Sequence, residues 1–225
     1  MLSTYVFDAY GTLFDVHAAI ARHRAAAGPE AERFSEIWRT KQLEYTWTLT
    51  LAGRYVDFWT LTERALDYAL ARVPSVDRAL RPQLLEAYLR LEAFADARAA
   101  LADLKARGAR LAILSNGSPA MLAAAVDGAA IAGLLDAVLS VDAVRVYKPR
   151  PEVYALVTNG LAVTADEVAF VSSNRWDVMG AASFGFRTLW VNRARMPQEY
   201  GDLAPLREIS DLAALANLAL GSERV

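Results

Sequence analysis

Short apolar runs that stop at polar or glycine-containing turns recur along this chain, and they constrain its fold most. They cover residues 5–7, 111–114, 168–171 and 188–191, with 138–141 a fifth candidate. Helical patterning fills most of the intervals, at 95–107, 119–126, 151–159 and 178–184. Continuous apolar strands alternating with helices predict an α/β fold whose doubly wound parallel sheet is covered on both faces. Ligands of such sheets bind beyond the carboxyl ends of the strands. Three strand ends here deliver polar groups to that edge: Asp8, Ser115-Asn116 and Ser172-Ser173-Asn174.

The rhythm breaks directly after the first strand and turn. Residues 16–94 hold helical patterns at 16–27, 30–51, 55–72 and 76–91 and no convincing strand. We therefore expect a core domain of residues 1–15 and 95–225 with a helical cap domain of 16–94 inserted in it. The aromatics of that insertion, among them Trp38, Tyr45, Trp47, Phe58 and Tyr88, suit three roles: the core of a helical bundle, a lid over a dry pocket, or a dimer surface.

Composition narrows the function classes. With 55% hydrophobic and 22% charged residues, the chain has the balance of a globular protein. A formal charge of -2 gives no electrostatic reason to expect nucleic acid or an anionic membrane as partner. The absence of cysteine excludes disulfides, thiolate nucleophiles and cysteine metal sites, and fits a reducing cytoplasm. Asp8 interrupts the apolar start, so no secretory signal is read. The alanine-rich MLAAAVDGAAIAGLL carries Asp127 and two glycines, short of the ~20 apolar residues a bilayer requires. A cytoplasmic location is the expectation.

The candidate chemistry starts at VFDAYGTLFD, residues 6–15. A carboxylate after a strand, followed by a glycine turn with free N–H groups, suits a nucleophile beside an anion site; Asp8 as a plain turn cap is the commoner role for DxxGT alone. Ser115-Asn116-Gly117 offers hydroxyl, amide and backbone donors, or an ordinary helix cap. In KPRPE, from Lys148 to Glu152, the prolines hold a lysine in an extended stretch. Such a lysine either reaches inward to keep a carboxylate ionised or lies solvated in its loop. SSNRWD, ending at Asp177, adds hydroxyls, an amide and a carboxylate after a strand. Each element is weak singly; their order makes the joint signal specific.

In that order the chain resembles the haloacid dehalogenase superfamily, and within it the type II (S)-2-haloacid dehalogenases. FDAYGTLFDV, WRTKQLEYTW, GRYVDFW, AILSNG, Tyr147-Lys148-Pro149 and FVSSNRWDVMGA carry the likeness over nearly the whole chain. The resemblance implies a Rossmann-like core with a helical cap. Two positions depart from the superfamily's phosphatases. Tyr10 stands where they place an acid to protonate the leaving group, and Asn174 stands at the first of the two acids that hold magnesium. Magnesium prefers hard anionic oxygens, so no metal and no cofactor is expected. A halide leaves as a stable anion and needs no general acid.

By resemblance, Asp8 displaces halide from carbon with inversion, and water hydrolyses the resulting ester. Lys148 pairs with Asp8, with Thr12, Ser172 and Asn174 around that pair. Ser115 and the N–H groups of the Tyr10-Gly11 turn grip the substrate carboxylate. Arg39, Asn116 and Trp176 form the halide cradle, and Tyr10, Leu43, Phe58 and Trp176 the apolar wall. Asp177 either orients Lys148 or activates the hydrolytic water. Tyr154 is placed with the pocket, bonded to the same network or a core tyrosine. A homodimer through the cap helices is implied as well.

His17 and His23 match nothing catalytic and are expected at the surface. Thr40 replaces a glutamine expected after the arginine, and the tail after Leu220 is short for the family. The competing readings are a magnesium-dependent phosphatase of the same superfamily, a non-catalytic binding module, and a defluorinase acting on fluoroacetate.

Overall fold

The computed structural model describes residues 3–218. Its strands are β1 (Thr4–Phe7), β2 (Arg110–Ser115), β3 (Ala137–Ser140), β4 (Val168–Ser172), β5 (Arg187–Val191) and β6 (Arg207–Ile209). They form one parallel sheet in the order β3-β2-β1-β4-β5-β6. Every residue of β1 and β4 is buried, as expected of central strands covered on both faces and written as unbroken apolar runs. Winding reverses between β1 and β4, which opens the ligand crevice at their carboxyl ends. Phe7 lies in register with Ile113 and Val171. Asp8 extends that ladder by one residue, its N–H donating to the Val171 carbonyl at 2.9 Å.

Between β1 and β2 the chain forms α1 (Ala18–Arg22), α2 (Arg24–Ala27), α3 (Ala31–Leu51), α4 (Phe58–Arg72), α5 (Arg81–Leu89) and α6 (Ala97–Ala106). The later strands are linked by α7 (Pro119–Gly128), α8 (Pro151–Leu161) and α9 (Arg175–Phe184). Local signals fix these ends. Ser118 caps α7 and Pro119 opens it, where a missing N–H costs nothing. Gly185 closes α9 with φ 106°, a backbone conformation that favours glycine.

The pattern at 16–27 is not one helix but two, broken at His23. The pattern at 55–72 starts at Phe58, because Asp57 caps it by accepting the Thr60 N–H at 3.0 Å. That at 76–91 begins as a 3-10 turn capped by Asp77 and becomes α5. Strand β6 was not expected; Arg-Glu-Ile buries only Ile209 and shows no apolar run.

The helical insertion leaves and rejoins the sheet at one place. Asp15 donates its N–H to the Glu92 carbonyl and Phe94 donates to that of Leu13, both at 2.9 Å. Its aromatics meet the sheet edge directly. Tyr10 packs on Phe58 and Tyr88 with ring centroids 5.8 and 5.9 Å apart, and Trp38 backs Tyr88 at 5.2 Å. One apolar core thus runs from the sheet into the insertion. No helix among the described residues is long and apolar enough to cross a membrane. The tail after Leu220 lies outside the described residues.

Candidate active site

Asp8 projects from the end of β1 and is 5% exposed. Its two oxygens are served unequally. Oδ2 accepts from Asn174 Nδ2 at 2.8 Å and Thr12 Oγ1 at 3.1 Å, with Ser172 Oγ at 3.5 Å. Oδ1 accepts from Lys148 Nζ alone among the described residues, at 3.1 Å. Lys148 is buried and its ammonium also meets Asp177 Oδ2 at 2.7 Å. Tyr154 donates to the other Asp177 oxygen at 2.8 Å. This leaves one cation between two carboxylates, with hydroxyl and amide donors on their outer oxygens.

Burial alone would lower the Lys148 pKa, but the carboxylates of Asp177 and Asp8 outweigh it and hold it above the ordinary lysine value. Burial pushes Asp177 up from 3.8 to about 6, against the pull of the Lys148 ammonium. We take the pair as ionised at neutral pH, because the cation has a carboxylate on both sides. Burial also raises the phenol of Tyr10 well above 10, so it holds its proton.

The turn after Asp8 is fixed by glycine and by the β4–α9 loop. Gly11 has φ 95°, and its carbonyl accepts from Ser173 Oγ at 2.7 Å. Its N–H donates to the Phe14 carbonyl at 2.8 Å, so that donor closes the turn and is not available to a substrate. Gly117 lets the Tyr10 ring settle on the loop after β2; a Cβ there would lie 2.7 Å from Tyr10 Cε2.

Above Asp8 lies a small cavity of about 10 Å³, close to the room one water needs. Asp8, Tyr10, Arg39, Leu43, Phe58, Ser115, Asn116, Asn174 and Trp176 line it. Ser115 Oγ accepts the Gly117 N–H at 3.0 Å, leaving its own proton to donate. Asn116 Oδ1 accepts the Lys148 N–H at 3.2 Å, which turns the amide nitrogen toward the cavity side. Arg39 and Leu43 stand one turn apart on α3. Trp47 of the same helix braces Trp176 edge to face at 5.4 Å.

Residues 2–185 match the family model of the haloacid dehalogenase-like hydrolases. The chain belongs to this family. Among curated relatives of this hydrolase, (S)-2-haloacid dehalogenase 1 of Pseudomonas sp. (strain CBS-3) is 47% identical over 96% of this chain and 95% of its own. (S)-2-haloacid dehalogenase 4A of Burkholderia cepacia is 46% identical over 95% and 93%. The solved L-2-haloacid dehalogenase of Xanthobacter autotrophicus with chloropropionic acid covalently bound superposes with a TM-score of 0.88. It is 40% identical and covers 99% of this chain and 100% of its own.

The hydrolase thus gathers its sequence-named residues in two layers. Nine line the cavity, whereas Lys148, Asp177, Thr12 and Ser172 lie beneath it around Asp8. Tyr154 does not line the pocket. It sits at the foot of α8 among Phe170, Phe184 and Phe186, reaching Asp177 from behind, and Gly180 leaves room for its hydroxyl. His17 is exposed apart from its Nδ1 contact with Ser35 Oγ at 2.8 Å. Among the described residues no group of three or more His, Asp or Glu is placed to hold a metal ion.

Three supporting residues of the helical insertion were given no individual role from the sequence: Gln42, and Tyr88 and Trp47, which were read only among the insertion's aromatics. The i, i+3 spacing of Arg39 and Gln42 is the one local signal that links any of them to the site.

Proposed function

We propose that this hydrolase converts short (S)-2-haloalkanoic acids to (R)-2-hydroxy acids with inversion, through an ester on Asp8 and without a metal ion. The observation that carries the reading is the company Asp8 keeps. A buried carboxylate paired with Lys148 faces a cavity in which its neighbours are Tyr10 and Asn174, neither of them an acid. Asn174 donates to Asp8 where a magnesium site would need another anionic oxygen. This supports dehalogenation over metal-dependent phosphate transfer. The covalent adduct carried by the Xanthobacter relative supports an ester route.

Oδ1 has a single donor and keeps a lone pair for the attack, while the donors on Oδ2 hold the carboxylate plane. The electron pair of the carbon–halogen bond leaves with the halide, toward Arg39, the Asn116 amide and the Trp176 edge. Ser115 and the Tyr10 backbone N–H bind the substrate carboxylate. Water then adds to the Asp8 ester carbonyl; one proton passes to the departing alkoxide and one to solvent. Asp177 holds Lys148 in place, a role supported by both its oxygens being engaged. Excluding water from the cavity strengthens the carboxylate as a nucleophile.

The same reading makes residues 16–94 a cap over a core of 1–15 and 95–225, working in the cytoplasm. Two cap copies pair into a dimer, which is supported by the exposed Leu51 and Tyr68 on α3 and α4. Sedimentation of the wild type beside Leu51→Asp tests the pairing.

The test of the reaction is halide release from (S)-2-chloropropionate in EDTA, beside the (R) enantiomer and p-nitrophenyl phosphate with magnesium. Halide from the (S) form alone, unaffected by EDTA, is expected. Magnesium-dependent phosphate release without halide would overturn it. Fluoride release from fluoroacetate, scored in parallel, decides the defluorinating variant.

A further inference from the structure

The cation set against the departing halide is held by neutral acceptors. Arg39 Nη1 donates to Gln42 Oε1 at 2.8 Å and Nη2 to the Tyr10 carbonyl at 3.2 Å. A carboxylate partner would hold the guanidinium as firmly but would spend its charge; a neutral amide fixes its place and leaves the charge for an anion.

Gln42 is itself fixed. It is 1% exposed and lies one turn beyond Arg39 on α3. Its Nε2 donates to Thr62 Oγ1 at 2.6 Å and to Tyr88 OH at 3.0 Å. The Thr62 hydroxyl gives its own proton to the Phe58 carbonyl at 2.7 Å, so toward Gln42 it can only accept. That orients the amide, nitrogen to Thr62 and oxygen to Arg39. Trp38 clamps α3 to α4 at the same level by donating Nε1 to the Thr62 carbonyl at 2.9 Å. The post that carries Arg39 is therefore anchored in two other helices, α4 and α5.

The placement matters because Arg39 is also a wall. A second cavity, of about 380 Å³, shares Arg39, Leu43 and Asn174 with the small one over Asp8. Asn174 is tied to Asp8 and to the Tyr10 carbonyl. Arg39 and Leu43 make up the rest of the partition between the two cavities.

We propose that Gln42, anchored by Thr62 and Tyr88, is the positioning residue that holds Arg39 in its place at the cavity over Asp8 with its charge uncompensated, and so sets how strongly the enzyme assists a departing halide. This rests on the reading of Arg39 as part of the halide cradle.

The experiment compares the rate of the halide-releasing step for (S)-2-chloro- and (S)-2-bromopropionate in wild type, Gln42→Met, Tyr88→Phe and Arg39→Lys. Chloride is the poorer leaving group and depends more on assistance. Gln42→Met is expected to slow the chloro substrate by about tenfold or more, as loss of a supporting partner typically does. The bromo substrate slows less, so the chloro-to-bromo ratio falls. Tyr88→Phe moves the ratio the same way by a smaller factor and keeps the apolar packing should Gln42→Met fail to fold. A purely structural role would slow both substrates equally. If Arg39→Lys lowers the ratio and both network variants leave it unchanged, this proposal fails alone. If Arg39→Lys also leaves it unchanged, the cradle reading fails with it.

Discussion

The floor of the cavity and its roof differ in how their polar groups are satisfied. The floor, built on the ends of β1 and β4, the stretch before α8 and the start of α9, holds Asp8, Lys148 and Asp177 almost without exposure, in a network of ion pairs and hydroxyl donors. The roof, built on the helical insertion, is mostly aromatic and aliphatic, with a single cation resting on neutral acceptors. A floor charge cannot be deleted without leaving its partner buried and unpaired, whereas an apolar roof side chain can be exchanged for another of similar volume. Chemistry therefore depends on identity below and, apart from Arg39 and the amide that holds it, on shape above.

Asp8→Asn breaks the comparison most sharply, since an amide is a poor nucleophile in the same shape. Halide release should fall by at least about 10⁴-fold with the fold retained, as judged by circular dichroism. Lys148→Met should lower kcat by about 10²–10³-fold and folding stability by about 3 kcal/mol, because two buried carboxylates then lose their cation. Denaturant titration beside the rate assay separates the two effects. A variant of wild-type stability would mean that the floor is not the stressed region.

The acid limb of activity sharpens the point. Asp177 stands at about 6 against an ordinary 3.8. In that window the folded chain binds the proton more tightly, so this group's contribution favours folding at low pH and is lost as pH rises through about 6. Activity runs the opposite way. Protonation removes the Asp177 charge that holds Lys148, so kcat should fall as pH drops below about 6. Removing the donor in Tyr154→Phe should shift that limb upward and cost about 1–3 kcal/mol for the orphaned carboxylate oxygen. The pH profile of kcat checks the first, and thermal unfolding the second. In the roof, Phe58→Leu should raise KM only a few-fold and cost less than about 1.5 kcal/mol.

The same division decides what was legible. The floor could be read because a buried parallel strand writes itself as an apolar run, and the first polar residue after it marks the sheet's ligand edge. Asp8, Ser115 and Ser172 were singled out as candidates that way, and each stands at the end of its strand. Lys148 was not separable from a loop lysine until the family likeness supplied its partner. Arg39 stood entirely on that likeness, since helical periodicity does not tell a roof arginine from a surface one. Gln42 was not singled out, and Tyr88 was read only as one of the insertion's aromatics, because their meaning lies in contacts between α3, α4 and α5. Gly11 was misjudged because a glycine turn advertises N–H groups without saying which ones the turn consumes. Tyr154 was grouped with the pocket, with a bond to the Lys148 network or a core place left open, since nothing local distinguishes lining a pocket from bracing it; it is buried and bonds Asp177. Strand β6, short and mostly polar, gave no pattern to find.

The most direct test of covalent catalysis by Asp8 is a single turnover of excess enzyme with (S)-2-chloropropionate in water carrying a heavy oxygen isotope. The product and the peptide containing Asp8 are then weighed by mass spectrometry. The ester route predicts label in the Asp8 carboxylate and an unlabelled first-turnover hydroxy acid, its new oxygen having come from the enzyme. Label in the product with Asp8 unlabelled would mean that water attacks the substrate carbon directly, and Asp8 would then be a base and not the nucleophile.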